Sequence, residues 1–406
     1  MKLTRNISQR NYYSLLWHAG FLAFARNFID VDTVIPAMLV DAGGTALHVG
    51  VLTAIMLGGS SFTQLIFAPF ISNYSYKKGF LLLGINSRIL ALLALGLLLY
   101  YSSRLHGSYM VILIFLLVTV FSLGGAFANI SYTDIMGKSL LPEARKPFFS
   151  IKQVLTGIIL LGSVFLARFV LSSAGYPVNY TYMFFIGFGA LAIASLGFWN
   201  LKEVVPSKMR VKNPTHFFQL VKHELKQNKR LVYFLGFINT QGIAISFLPF
   251  VILYAKQNFD LQSDQTGNFL LFKVIGSVVT GLLLFALKGR FRYRNLLYLN
   301  IFLSVLLAML ILILPDYPPF FLMFFIGGII FATYSITMNG VLLEVSDTTN
   351  RALYTGITGA GNILPALFPL LGGWIITQYG FKPFFVLFIL VILASAYFVI
   401  NLRCKH

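Results

Sequence analysis

The chain has 406 residues, of which 58% are apolar and 11% charged, with a mean hydropathy of +0.81. A soluble domain carries roughly 25% charged residues, so a cytoplasmic enzyme is excluded and lipid is the main solvent. The net charge of +19 raises nucleic acid as a partner, which the positions of the charges argue against, and the single cysteine, Cys404, excludes an intrachain disulfide framework or a thiolate metal cage.

Apolar runs of about 20 residues, the length that crosses a bilayer as helix, fall at 13–40, 49–71, 80–101, 109–131, 150–171, 181–201, 231–256, 267–288, 295–314, 320–342, 354–378 and 384–401. They are continuous rather than alternating and about twice the length of a barrel strand. The expected fold is therefore all-α: a polytopic membrane protein of twelve transmembrane helices. The first run is too long and too polar inside for a cleaved signal peptide, so it is expected to remain as the first helix.

That first span carries Arg26, Asn27, Asp30 and Asp32. A charge inside lipid costs about 2.5 to 3.5 kcal/mol on insertion scales, so such groups face a partner, the bundle interior or water. In one continuous helix, Arg26 and Asp30 are four apart and share a face with Thr33, with Asn27 beside them, while Asp32 points elsewhere. Counted from Val40 at 1.5 Å per residue, Asp30 lies roughly 15 Å deep. It is expected to be the proton-accepting carboxylate with Arg26 as its neighbouring charge, a structural ion pair being the alternative. Asp32 is expected nearer the outer interface, pairing with Lys256 or solvent. His18 reads as a packed histidine or a proton relay.

Further along, Gln64 sits in the second span and Asn73, Lys77 and Lys78 follow it. Arg88, in the third, is expected to brace helix ends. Asn129 lies in the fourth span, and Arg145 precedes the fifth. Lys152 and Arg168 stand within a turn of the fifth span's expected ends and are expected to snorkel. The gap 202–230 is the only long one. It divides the chain into an N-terminal six-helix bundle, 1–201, a basic cytoplasmic linker, 202–230, and a C-terminal six-helix bundle, 231–406. Within the linker, 216–230 reads as a short amphipathic basic helix able to lie on anionic lipid. The seventh span holds Asn239 and Gln241, the eighth Lys273, and the eleventh Asn362 among several Gly and Pro. Lys273 is the basic residue expected to meet an anionic substrate. The neutral amides are possible ligands or helix-to-helix hydrogen bonders.

Basic residues mark the cytoplasmic loops. Lys2, Arg5, Arg10, Lys77, Lys78, Lys138, Arg145, Lys146, the linker, Lys288, Arg290, Arg292, Arg294, Arg351, Arg403 and Lys405 fall on one side, against Arg104, Lys256 and Lys382 on the other. Both termini are thus expected in the cytoplasm, the basic residues are spread as insertion requires, and no nucleic-acid partner is expected. Gly137-Lys138-Ser139 is not a phosphate loop, because position 132 is Tyr where a Gly is needed. Metalloprotease, serine-hydrolase and Cys/His signatures are absent from the sequence, so neither an enzyme nor a cofactor or metal is expected.

The halves repeat one another weakly. PEARKPFFS (Pro142 to Ser150) answers TTNRALYTG (Thr348 to Gly356), Gly175-Tyr176-Pro177 answers Gly380-Phe381-Lys382-Pro383, and SNYSYKKG answers the basic Gly289 to Arg294. With its twelve spans, long basic centre, PEARKPFF and GGWIITQYGFKPFF (Gly372 to Phe385), the chain resembles the major facilitator superfamily over its whole length. Asn73 departs from the Asp that the family usually has after helix 2, and only the basic pair Lys77-Lys78 is kept. The resemblance implies two pseudo-symmetric six-helix bundles and secondary active transport by alternating access, with Asn73, Lys77, Lys78 and Arg145 in the gating positions. The expected function is proton-coupled movement of a small organic solute, an anion if Arg26 and Lys273 both face the cavity, through a monomer in a bacterial inner membrane. Substrate candidates are Lys273, Gln241, Asn239, Asn362, Asn129, Gln64 and Asn27; coupling candidates are Asp30, Arg26 and Asp32. A multidrug or lipid exporter of the same fold and a non-transporting receptor or scaffold stay open.

Overall fold

A computed structural model of the chain describes residues 3–104, 107–207, 214–259, 261–287, 291–316, 318–346, 354, 357–359 and 361–402. Among these residues there is no strand. The helices are α1 (Arg5–Phe28), α2 (Val34–Asp41), α3 (Ala46–Ser72), α4 (Lys78–Tyr100), α5 (Gly107–Ser139), α6 (Pro142–Ser173), α7 (Val178–Asn200), α8 (Pro214–Gln227), α9 (Lys229–Gln241), α10 (Phe247–Phe259), α11 (Ser263–Ala286), α12 (Tyr293–Ile313), α13 (Phe320–Val345), α14 (Ile363–Tyr379) and α15 (Phe381–Leu402). Ten helical stretches among the described residues are long and apolar enough to cross a membrane, with a shorter apolar helix at Ala46–Gly59. Each of the twelve expected spans is occupied by helix, and α8 falls within the expected linker.

Three expected spans are not continuous. The first breaks at 29–33 and restarts as α2; the seventh passes through a 3-10 turn, Gly242–Ser246, between α9 and α10; the eleventh restarts at Ile363. Each restart places proline third: Pro36, Pro249 and Pro365. A proline there loses nothing, since the first N–H groups of a helix have no intrahelical partner. It does disfavour an unbroken helix through the preceding turn, because its ring meets the carbonyl four residues back. Proline alone is not sufficient, since Pro147 and Pro369 lie inside α6 and α14. At the three breaks it is joined by residues that also disfavour helix: Asp30, Val31, Asp32 and Thr33; Gly242; Gly361 and Asn362.

The α14 restart is capped from another helix. The Asn239 side-chain oxygen accepts the N–H groups of Ile363 (3.2 Å) and Leu364 (2.9 Å), and its amide donates to the carbonyls of Gly361 (2.7 Å) and Leu235 (2.9 Å). Asn239→Ala is expected to cost about 0.5 to 2 kcal/mol, the worth of a helix cap. The check is the thermal unfolding midpoint of the purified protein in detergent, and an unchanged midpoint counts against the cap.

The chain clusters into two compact units: 1–30, 41–43 and 62–214; and 31–40, 44–61 and 215–406. In the first, α1 packs on α6 and α7, and α4 on α5 and α7. In the second, α11 packs on α13, α9 on α15, and α12 on both α13 and α15. The α11–α13 crossing is backbone to backbone: a Cβ added at Gly328 would stand 2.0 Å from the Lys273 carbonyl oxygen, and one at Gly276 would stand 2.2 Å from that of Phe325. Small residues permit such approaches where lipid supplies no hydrophobic drive between helices. Beside it, Phe247, Phe250, Phe384, Phe385 and Phe388 form a buried aromatic cluster.

Candidate functional site

The first unit lines an open cavity of about 380 Å³, within the usual range for small-molecule sites. Helical spacing builds its walls. From α1 come His18, Leu22 and Arg26 at steps of four, with Ala19 and Ala23 beside them; from α4, Leu81, Ile85 and Arg88; from α5, Gly125, Ala128, Asn129 and Tyr132; from α6, Lys152 and Thr156; and from α7, Phe198. Side chains three or four apart on a helix share a face, so each helix presents one stripe.

The stripes are basic. Arg26 is exposed, deep within the chain's first apolar run, because the surface it meets is the cavity. Arg88 lays its guanidinium 4.2 Å from the centre of the Phe121 ring, and its Nε is buried with no hydrogen-bond partner among the described residues. The Lys152 ammonium donates to the Tyr132 hydroxyl at 3.3 Å and stands 5.5 Å from that ring's centre. Among the described residues, no acidic residue lines the cavity and none pairs with Arg26, Arg88 or Lys152. His18 stacks on Phe198 at 3.6 Å and bonds through Nδ1 to the Ala194 carbonyl at 3.1 Å. A carbonyl only accepts, so Nδ1 carries the proton and Nε2 is the second ring nitrogen left to other uses.

Two expectations change here. Arg88 lines the cavity rather than only bracing helix ends. Lys152 does not snorkel from a helix end, because α6 begins at Pro142 and not near 150, which places Lys152 about 15 Å along the helix.

The coupling candidates separate. α1 ends at Phe28, so Asp30 lies in the following turn and the expected i,i+4 face with Arg26 does not form; Asp30 is half-buried and does not line the cavity. Asp32 belongs to the second unit, where its carboxylate is ion-paired and hydrogen-bonded to the Lys273 ammonium, both side chains being buried. This replaces the expected pairing of Asp32 with Lys256, and it gives Lys273 a carboxylate in place of a substrate. A crevice of about 10 Å³ adjoins Asp32, lined also by Ser304, Gly327 and Phe331. That is room for about one water molecule.

Among the neutral candidates whose side chains are described, only Asn129 lines the cavity. Asn239 is the cap described above. Gln241 is fully buried, its amide donating to the Asn300 carbonyl (3.2 Å) and Ser304 Oγ (2.8 Å) while its oxygen accepts from Ser395. It ties α9 to α12 and α15 and is not available to a ligand. Asn27 joins α1 to α6 by donating to the Leu160 carbonyl and Ser163 Oγ, both at 2.8 Å. Asn362 precedes α14, with its side-chain oxygen buried and without a hydrogen-bond partner among the described residues. The side chain of Gln64 lies outside the described residues.

Of the gating candidates, Lys77 and Lys78 enter a charge cluster whose acidic half, Asp134 and Glu203, was not among the expected site residues. Lys77 pairs with Asp134 at 3.0 Å, and Lys138 pairs with Asp134 at 2.8 Å and Glu203 at 2.7 Å. Glu203 also accepts the backbone N–H groups of Lys77 and Lys78 at the start of α4 (2.9 and 2.7 Å), where a carboxylate complements the helix dipole. Lys78 donates to the Trp199 and Leu201 carbonyls at the end of α7, and Arg145 to the Gly137 and Leu140 carbonyls at the end of α5. The Asn73 side chain is exposed, its backbone N–H bonding to the Phe70 carbonyl. Asp134 and Lys138 stand four apart in the sequence, and the chain has only 12 acidic residues; that pairing was the available signal.

A sequence model described as Major Facilitator Superfamily matches residues 16–358 and again 232–403. No curated protein matches the sequence. Among solved structures, an aspartate-to-alanine mutant of the nucleoside transporter NupG is similar with a TM-score of 0.70 at 14% identity, over 97% of this chain and 100% of that one. A POT family transporter in complex with a thioalcohol-conjugated peptide gives 0.68 at 13%, over 97% of each chain. The inward-open xylose transporter XylE from E. coli gives 0.65 at 14%, over 95% of each. At these identities the likeness is one of fold.

Proposed function

The chain belongs to the major facilitator superfamily, and from that premise we propose that it is a proton-coupled secondary transporter of a small organic anion, working by alternating access. The observation that carries this reading is the cavity of the first unit, where Arg26, Arg88 and Lys152 line the wall and, among the described residues, no carboxylate does. Cations held in a low-dielectric site demand a counter-charge, and a carrier's counter-charge can be its substrate. Asn129 adds a neutral hydrogen-bonding group to the same wall. Lipophilic cations, the alternative cargo of an exporter, would be repelled there.

Coupling falls to the two carboxylates of the α1–α2 turn. Asp30 is the proton acceptor in this reading, and Asp32, with a water-sized crevice beside it and Lys273 as its ion-pair partner, is the group whose pairing changes with state. The Lys77, Lys78, Asp134, Lys138 and Glu203 cluster, with Arg145 and Asn73 at the neighbouring helix ends, serves as the gating region. The spread of basic residues over alternate loops supports cytoplasmic termini in a bacterial inner membrane, and the family resemblance supports a monomer.

The test uses the purified full-length protein in proteoliposomes under an imposed pH gradient. Radiolabelled organic anions should accumulate above the gradient-free level. Asp30→Asn should lose that accumulation while keeping anion exchange between the two sides. Full gradient-driven accumulation in Asp30→Asn removes Asp30 from the mechanism; failure to move any anion removes the reading.

A further inference from the structure

Resting on that reading, we infer that the transported anion carries at least two negative charges: a compact organic molecule bearing a phosphate monoester or two or more carboxylates. The argument begins with charge arithmetic. Arg26 and Arg88 are guanidinium groups, which stay charged in proteins, and Lys152 adds an ammonium. They come from α1, α4 and α6 onto one cavity, without an acidic residue on its wall among the described residues. A monovalent anion would leave two of the three charges uncompensated in a site walled by Leu22, Ile85 and Ala128, where unmatched charge is most costly. A divalent or trivalent anion brings the occupied cavity near neutrality.

The geometry of the donors agrees. Arg88 holds its guanidinium 4.2 Å from the centre of the Phe121 ring, and its Nε is buried without an acceptor among the described residues. An arginine edge is a planar fork that matches two oxygens of a carboxylate or phosphate. Lys152 makes a single long contact, 3.3 Å, to the Tyr132 hydroxyl, leaving donors to spare. Two arginines and a lysine on separate helices suit an anion with charge at more than one point. The volume, about 380 Å³, is in the range of small-molecule sites and admits a compact metabolite.

The test is a valence series on the full-length protein. Thermal-shift titration in detergent and counterflow in proteoliposomes would be run with butyrate and lactate (monovalent), succinate (divalent), citrate (trivalent), glycerol 3-phosphate and inorganic phosphate. Divalent and trivalent compounds should stabilise the protein and compete for transport about tenfold or more better than monovalent ones. In Arg88→Gln and in Lys152→Gln the ratio of divalent to monovalent affinity should fall, while Arg88→Lys and Lys152→Arg, which keep the charge, should retain most of it and serve as the comparison should a glutamine variant not fold. Succinate and citrate against glycerol 3-phosphate separate carboxylate from phosphate recognition. If monovalent anions bind and move as well as divalent ones, the valence inference is overturned while anion transport stands. If no anion of any valence binds or moves, both fall together.

Discussion

Replacing Lys273 with alanine is expected to lower the stability of the folded protein by about 3 to 5 kcal/mol, the cost of removing one member of a buried ion pair. Its ammonium and the Asp32 carboxylate are both buried, and they bond directly to one another. The surroundings are apolar, with the Phe331 ring 5.9 Å from the ammonium and Leu248 and Ile330 on the adjoining crevice. Removing the lysine takes its direct ion-pair partner from the buried Asp32 carboxylate. Asp32→Asn combined with Lys273→Met removes both charges at similar volume and should recover most of the loss, since such replacements are often neutral or stabilising. Thermal unfolding in detergent, followed by the fluorescence of Trp17, Trp199 and Trp374, measures both. A single variant that melts like the parent would mean the pair is not a stabilising contact. A double variant that is stable yet cannot accumulate substrate against a gradient would place the pair in coupling.

Gly328→Val is the second large effect expected. The first atom of the new side chain would fall 2.0 Å from the Lys273 carbonyl oxygen and 2.9 Å from the Ser277 nitrogen. Both are backbone atoms of a helix and cannot rotate aside. Overpacking costs about 1 to 3 kcal/mol where neighbours can shift; here α11 and α13 must separate, so the loss should reach or exceed the top of that range. Because the contact is with Lys273 itself, separating the helices also draws the lysine from Asp32. Gly328→Val and Lys273→Ala should therefore be non-additive, as substitutions sharing one contact are. Simple additivity of the two midpoint shifts would show that the crossing and the ion pair are independent.

The helices were legible because unbroken apolar runs have few other solutions in lipid. Their interruptions were less so. Pro36, Pro249 and Pro365 can each be read as a kink inside a long helix, and only the neighbouring Asp, Gly and Asn residues turn them into restarts. That one misreading moved the site: a continuous first helix puts Arg26 and Asp30 on one face, whereas the break sends Arg26 to a cavity in one unit and Asp32 to Lys273 in the other. The cavity itself was half legible. Arg26 and Asn129 were identifiable as polar residues deep within apolar runs, but Lys152 was placed near a helix end because the polar residues of PEARKPFFS hid the first turns of α6. Gln241 and Asn239 looked like ligands for the same reason that they are good structural glue. An amide in lipid needs hydrogen bonds, and composition does not say whether a helix end or a cargo provides them.

The segment after α7 is fastened at several points. Lys202 donates its backbone N–H to the Asn11 side chain of α1 while its carbonyl accepts from the same amide, Glu203 takes the first N–H groups of α4 and the Lys138 ammonium of α5, and Ser207 donates to Asp134. Mechanically this is a splice rather than a tether. Tension arriving along the linker is shared among α1, α4 and α5 before it can peel the last turn of α7, so a pull on the chain beyond Ser207 is delivered to the amino-terminal unit as a whole.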